Sequence, residues 1–225
     1  MNQIRLLLNR LEKCEMNSEQ LALNNLLLST IEMLQKQPIA TNRFSDLAKL
    51  VRYIVAKRKA NKDVQLNFIC THNSRRSQLA QVWGQFAADY HGIPAKCFSG
   101  GVEVTAFNQR GVDSLIRSGF DVAQDGEKNP IFGISYSPDS KPIQAFSKLY
   151  DDDANPKTNF AAVMTCGHAD ENCPFIPGTE ARIPLRYNDP KAFDDTEVEA
   201  QRYDERSMQI ASELFYVFSQ VKAQL

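Results

Sequence analysis

No apolar run in this chain approaches the roughly 18 residues a membrane-spanning helix needs. Charge of one sign is also missing: 26 Lys+Arg against 27 Asp+Glu leave a net charge of −1 over 225 residues. That balance excludes the basic footprint of a nucleic-acid binder and any general pull toward anionic membranes. The opening stretch, MNQIRLLLNRLEKCE, has neither the apolar core nor the small-residue cleavage site of a signal peptide, so a cytoplasmic protein is expected. Cysteine is scarce, with five in all. In a reducing compartment these are expected to be thiols, ligands or catalysts rather than a disulfide frame. A hydrophobic share of 43% with 24% charged residues excludes a disordered or collagen-like chain.

Glycine is absent from residues 1–60, where a single proline, Pro38, occurs. Apolar residues recur there at helical spacing: Ile4, Leu7, Leu8 and Leu11, then Leu23, Leu26, Leu27, Ile31 and Leu34, then Phe44, Leu47, Leu50, Val51 and Ile54. Three short amphipathic helices are predicted, the second capped by Asn17 or Ser18 and ended by Gln37-Pro38, the third capped by Thr41 or Asn42. Lys57-Arg58-Lys59 reads as a solvated helix end rather than an anion site. A helical N-terminal domain over 1–62 is expected to pack on something else, because its own core is small. From Val64 strands and helices alternate: a strand over 64–69, a helix over 77–90, a short strand over 96–99, a helix over 109–118 with Gly119 at its end, a strand over 159–165, and a terminal helix containing 210–221. Alternation of this kind predicts an α/β domain over 63–225, a parallel sheet with helices on both faces. Residues 123–158 read as loops with a short strand or hairpin around 141–149.

Cys70-Thr71-His72-Asn73-Ser74-Arg75-Arg76-Ser77 lies between a predicted strand and a predicted helix. Backbone N–H groups of such a loop, with a helix N-terminus behind them, form an oxyanion nest. A cysteine at its head sits in an electropositive field that favours the thiolate. Arg76 can fold back and hold two oxyanion oxygens with its planar fork, and Ser77 can donate to the thiolate. An oxyanion held there is placed for attack by sulfur. The bland alternative, a structural cysteine beside a chance arginine, suits a bare Cys-x5-Arg better than one set between strand and helix and followed by serine.

The loop resembles the active-site loop of the low-molecular-weight protein tyrosine phosphatases and the thioredoxin-coupled arsenate reductases, usually Cys-x-Gly-Asn-x-Cys-Arg-Ser. Cys70, Asn73, Arg76 and Ser77 match; His72 replaces glycine and Arg75 replaces cysteine. The resemblance implies a fold with a four-stranded parallel sheet. It also implies loop support from Ser99, in Ser99-Gly100-Gly101, and from Asn108. His72 is expected to be uncomfortable if glycine's backbone freedom is needed there, and Arg75 is expected to face solvent. Cys166-Gly167-His168-Ala169-Asp170-Glu171-Asn172-Cys173-Pro174 resembles the redox segment of the arsenate reductases, which ordinary phosphatases of this fold lack. That implies a thiol relay: Cys70 attacks arsenate, Cys166 attacks Cys70, Cys173 attacks Cys166, and thioredoxin reduces the last disulfide. Along a straight helix Cys166 and Cys173 would stand about 10.5 Å apart, too far to bond, so the segment must loop out. Inert packing cysteines, or zinc held by Cys166, His168 and Cys173 with a fourth ligand, remain alternatives; Cys14 and Cys97 read as packing residues.

Asn188-Asp189-Pro190 resembles the family's acid loop and implies Asp189 as proton donor to the leaving oxygen, with Asp194, Asp195 and Asp151–Asp153 as alternatives that read as solvated loop charges. Gln81 stands where some arsenate reductases place a potassium-binding Glu, so no dedicated potassium site, metal or cofactor is expected. The leading expectation is an arsenate reductase. The second is a phosphatase acting on phosphomonoesters, with Tyr187 at the rim clamping a substrate ring. The third is an oxyanion or redox sensor without turnover. The N-terminal helices could cover the site, form a homodimer or dock a partner.

Overall fold

The computed structural model describes residues 21–172 and 175–225. Helix α1 (Asn25–Lys36) is capped by Asn24, whose side chain accepts from the Leu27 amide at 2.8 Å. The cap expected at Asn17 or Ser18 lies outside the described residues, as do the predicted first helix and Cys14. Gln37 ends α1 ahead of Pro38. Thr41 and Asn42 do not cap the next helix. They lie in a 3-10 turn, Thr41–Arg43, which runs directly into α2 (Phe44–Lys59) and leaves no break for a side-chain cap. Lys57 is not solvated either: it is buried, with Nζ 2.7 Å from Glu180 Oε2.

Strands β1 (Gln65–Cys70), β2 (Lys96–Gly101), β6 (Phe160–Met164) and β7 (Thr179–Pro184) form one parallel sheet in the order β2-β1-β6-β7. This is the four-stranded parallel sheet the resemblance implies. Strand β7, Thr-Glu-Ala-Arg-Ile-Pro, carries no apolar run because it is a half-exposed edge, and sequence reasoning passed over it. The central strands are buried on both faces, and the two-residue period divides their side chains between two cores. Leu66, Phe68, Ala161 and Val163 join the main core with α1, α2, α3 (Arg76–Tyr90) and α6 (Glu199–Gln224). Ile69, Phe160, Ala162 and Met164 join a small core with Cys70, Cys166 and Ala169, the last on α5 (Gly167–Asn172). Helix α3 lies within the main core, and Trp83 and Phe86 meet Phe120 and Phe215 there in edge-on contacts.

Helix α4 (Gln109–Arg117) ends at Gly119, whose φ of +106° an L side chain rarely adopts. A Cβ there would also lie 2.6 Å from the Leu27 amide nitrogen, because α1 begins against this turn. Asn24 Nδ2 donates to Gly119 O and Thr30 Oγ1 to Ser118 O, so α1 supplies partners for carbonyls at the end of α4. Residues 121–145 correct a second expectation. Instead of loops with one hairpin they form a three-stranded antiparallel sheet of β3 (Asp121–Asp125), β4 (Ile131–Ser135) and β5 (Ile143–Ala145). Each strand is too short to announce itself, but the period of two is present: Phe132 and Ile134, and Ile143 and Ala145, point into the core. No helix among the described residues is long and apolar enough to cross a membrane.

The shared core yields two predictions. Leu50→Ala empties fully buried volume and should cost about 2–5 kcal/mol in a single urea transition that α/β and N-terminal probes report together. Separate transitions would show that 25–59 folds as its own unit. His91, against Phe215, has its pKa lowered to about 4 by burial and by the charge of Lys222. The unfolded chain takes up this proton below about pH 6.5 and the folded chain only near pH 4. Stability should therefore fall as pH drops from about 6.5 to 4, and a pH series of urea midpoints for His91→Gln should be flatter over that window.

Candidate active site

The segment from Cys70 to Arg76 closes the gap between β1 and α3, and its carbonyls are held from outside. Val102 N donates to Cys70 O at 3.3 Å, Glu103 N to Thr71 O at 2.8 Å and Asn108 N to Ser74 O at 2.8 Å. Thr105 Oγ1 and Ser147 Oγ donate to His72 O, and Gln78 Nε2 to Asn73 O. A loop with its carbonyls turned outward presents its N–H groups inward, the arrangement that binds an oxyanion. Gly101 lies against it so closely that a Cβ would sit 2.8 Å from both Thr71 O and Asn73 N. The left-handed residue of the loop is Asn73, at φ 46°, and not His72, which lacks a positive φ. Asparagine tolerates that region, so histidine at 72 is accommodated; its ring lies 3.3 Å from Glu103 at the mouth.

Cys70 Sγ lies 3.1 Å from Ser77 Oγ, and Asn73 Nδ2 donates to the same hydroxyl at 2.8 Å. With its oxygen accepting from Asn73, the Ser77 proton is free to point at sulfur. One terminal nitrogen of Arg76 donates to Tyr187 O at 3.0 Å and the other to Asp189 Oδ2 at 2.7 Å. Its Nε is buried without a hydrogen-bond partner among the described residues, leaving a donor for an oxyanion. Arg75 does not face solvent. Its side chain is 10% exposed, donates through Nε to Tyr203 Oη at 3.0 Å and approaches Asp189 Oδ1 at 3.6 Å. Its guanidinium lies where α3 packs on α6, the helix that carries Tyr203.

Cys166 follows β6. Thr71 Oγ1 lies 3.5 Å from Cys166 Sγ and 3.3 Å from His168 Nδ1, and Ala169 N donates to the thiol at 3.4 Å. The β1–β6 register pairs Ile69 with Met164, so Cys70 and Cys166 are diagonal neighbours just past that pair. Both are free and buried, as is the packing residue Cys97, whose thiol burial and nearby Asp89 push far from ionisation. Cys173 lies outside the described residues. Among the described residues no group of three or more His, Cys, Asp or Glu could hold a metal.

Other expectations need correcting. Ser99 does not touch the loop: its hydroxyl donates to Gln81 Oε1 at 2.6 Å and its carbonyl accepts from Asn155, because β2 turns it toward α3. Asn108 does support the loop, through its backbone, while its side chain caps α4. Tyr187 is no rim aromatic. It is 4% exposed with Arg43 stacked over its ring at 4.9 Å, and burial raises its hydroxyl well above the usual range. Asp194 is not a solvated charge, since it accepts from Tyr203 Oη at 2.8 Å. Sequence reasoning missed Gln78, Thr105, Ser147 and Lys148. Lys148 N donates to Asn73 Oδ1 at 2.9 Å, and burial lowers its ammonium pKa to about 8. Nothing in the Pro-, Gly- and Asp-rich stretch around the last two signals contact with the loop.

No family model matches the chain. The arsenate reductase of Halalkalibacterium halodurans is 27% identical over 139 residues, 62% of this chain and 82% of that protein. The arsenate reductase of Brevibacillus brevis is 28% identical over 123 residues, 55% and 74% of the two chains. That of Bacillus subtilis is 27% identical over 139 residues, 62% and 83%. The chain is thus similar in sequence to several proteins named arsenate reductase. Among solved structures, a low-molecular-weight phosphotyrosine phosphatase from Vibrio cholerae is similar with a TM-score of 0.48 at 10% identity, covering 69% of this chain and 94% of that one. A thioredoxin-dependent arsenate reductase of Corynebacterium glutamicum has a TM-score of 0.40 at 19% identity over 93% and 83%.

Two substitutions test the nest. Gly101→Ala should displace the loop and Arg76→Lys should remove the two-pronged hold, each lowering turnover on the order of 10²-fold. Arsenate or phosphate should no longer protect Cys70 from alkylation by iodoacetamide in either variant; undiminished protection would place the oxyanion elsewhere.

Proposed function

We propose that this chain reduces arsenate to arsenite with its own thiols. The Cys70 thiolate displaces one oxygen from arsenate as Asp189 supplies the proton that lets it leave as water, while Arg76 and the loop amides hold the other oxygens. Cys166 then attacks Cys70 sulfur. The sulfur–arsenic bond breaks with its electron pair staying on arsenic, so arsenic is reduced from the +5 to the +3 state and the two cysteines become a disulfide. Cys173 attacks Cys166, which releases Cys70 as thiolate and carries the disulfide outward. A dithiol protein of the thioredoxin class restores both thiols.

The observation that carries this reading is the seat of Cys166, its sulfur 3.5 Å from the hydroxyl of Thr71, the residue next to the nucleophile. Ester hydrolysis needs no second thiol at that place, and the buried Tyr187 provides no ring clamp. The same Cys70, Arg76 and Asp189 would still suffice for slow hydrolysis of a phosphomonoester, with water resolving the phospho-cysteine.

Cys70→Ser should abolish arsenate turnover and ester hydrolysis alike. Cys173→Ala should stop multiple turnover of arsenate with thioredoxin after one cycle while sparing p-nitrophenyl phosphate hydrolysis. Non-reducing mass spectrometry should then find Cys70 joined to Cys166. Normal arsenate turnover by Cys173→Ala would remove the relay, and hydrolysis with no reduction in the unsubstituted chain would leave the phosphatase reading.

A further inference from the structure

We propose that Arg75 is a positioning residue for Asp189, held to that task by Tyr203, so that Arg76 can leave the carboxylate for the oxyanion. The proposal rests on the role given to Asp189 above. Asp189 is shared by two guanidiniums, with Arg76 at 2.7 Å from Oδ2 and Arg75 at 3.6 Å from Oδ1. Its Oδ1 also accepts from Lys191 N, which caps the short turn Pro190–Phe193. The two arginines differ in how they are held. Arg76 is otherwise tied only to Tyr187 O. Arg75 donates through Nε to Tyr203 Oη at 3.0 Å, and Tyr203 donates its single proton to Asp194 Oδ1 at 2.8 Å. A phenol that accepts from a guanidinium and donates to a carboxylate has a fixed direction. Tyr203 is fully buried on α6, so it cannot swing with its partner. Arg110 approaches Asp194 at 3.9 Å and binds Asp195 and Glu199, which anchors the far end of the chain of contacts.

This asymmetry divides the labour. When an oxyanion enters the nest, Arg76 must turn part of its fork toward it. Without Arg75 the Asp189 carboxyl would then lose its only cation and the turn would lose its register. With Arg75 pinned to Tyr203, one cation stays. The charged groups around Asp189 are Arg75 and Arg76 from the loop and start of α3, Tyr203 from α6, and Asp194 from the end of its own turn; the charge of Arg206 on α6 also reaches Arg76. Removal of Arg75 therefore leaves the Asp189 carboxyl without a fixed guanidinium partner once Arg76 turns to the oxyanion.

The test is the carboxyl of Asp189 itself, followed by 13C NMR in the full chain without substrate. In Arg75→Gln its signal should shift and broaden relative to the unsubstituted chain, because the carboxyl loses one of its two guanidinium contacts. Arsenate kcat should fall about tenfold or more at neutral pH with KM little changed. Tyr203→Phe keeps the ring and the arginine charge, so it should lower kcat by a smaller factor, again with KM little changed, and Arg75→Lys should restore only part of the rate. Arg117→Gln, at an exposed pair with Asp204, serves as the unaffected control. An unchanged Asp189 signal in folded Arg75→Gln, or full activity in both Arg75→Gln and Tyr203→Phe, overturns the proposal. Because the NMR arm needs no turnover, failure of the relay would leave this result standing, and failure here would leave the relay standing.

Discussion

Everything at the site depends on where the carbonyls of residues 70–74 point. A free strand-to-helix loop would satisfy its N–H and C=O groups with water, in no fixed direction. Here five successive carbonyl oxygens accept from Val102, Glu103, Thr105, Ser147, Gln78 and Asn108. The donors come from the segment after β2, the start of α3, the cap of α4 and the segment after β5. The amides facing inward thus owe their direction to four separate stretches of chain. Gly101 is the close-packed point of that scaffold, and Asn73 is the pivot: it takes the one left-handed angle, donates to Ser77 and accepts from Lys148.

The segment that carries Asp189 is braced from the other side by α2 and the turn before it. Tyr53 and Lys57 of α2 bind Glu180 at the start of β7. Arg43, just before α2, donates to Arg186 O, stacks over Tyr187 and pairs with Glu213 of α6 at 2.7 Å. Arg182 and Arg186 in turn hold Asp170 of α5. The segment that runs from β7 to Asp189 is therefore tied to α2, α5 and α6 rather than left as a free loop. Buried ion pairs add little stability of their own, so their contribution here lies in direction.

The two faces of the sheet have separate chemical tasks. The main core fixes α3 and α6, and with them Arg75, Arg76 and Tyr203. The small core on the opposite face holds both cysteines among Ile69, Phe160, Ala162 and Met164. A thiol kept among apolar side chains is shielded from adventitious oxidants, and its neighbour across the strand ends becomes its nearest reaction partner. Helix α5 has six residues; Ala169 packs it into the small core, and Asp170 is held by Arg182 and Arg186.

Much of this was legible in the residues alone. The strand-loop-helix setting of Cys70, Arg76 and Ser77, and the position of Cys166 just past a buried strand, are local patterns. The alternation of strand and helix likewise predicts the parallel sheet, because each apolar run must find a face. Tertiary structure alone decided the rest. Edge strand β7 is half exposed, and strands β3–β5 carry their alternation over only three to five residues, too few to set them apart from loops. Arg75 looks like a surface charge until α6 brings Tyr203 across to it from 128 residues away. Tyr187 looks like a rim aromatic until Arg43 covers it, and Ser147 and Lys148 look like loop residues until β5 folds them onto the nest. Long-range contacts of this kind depend on which elements pack together, and a sequence read locally carries no term for them.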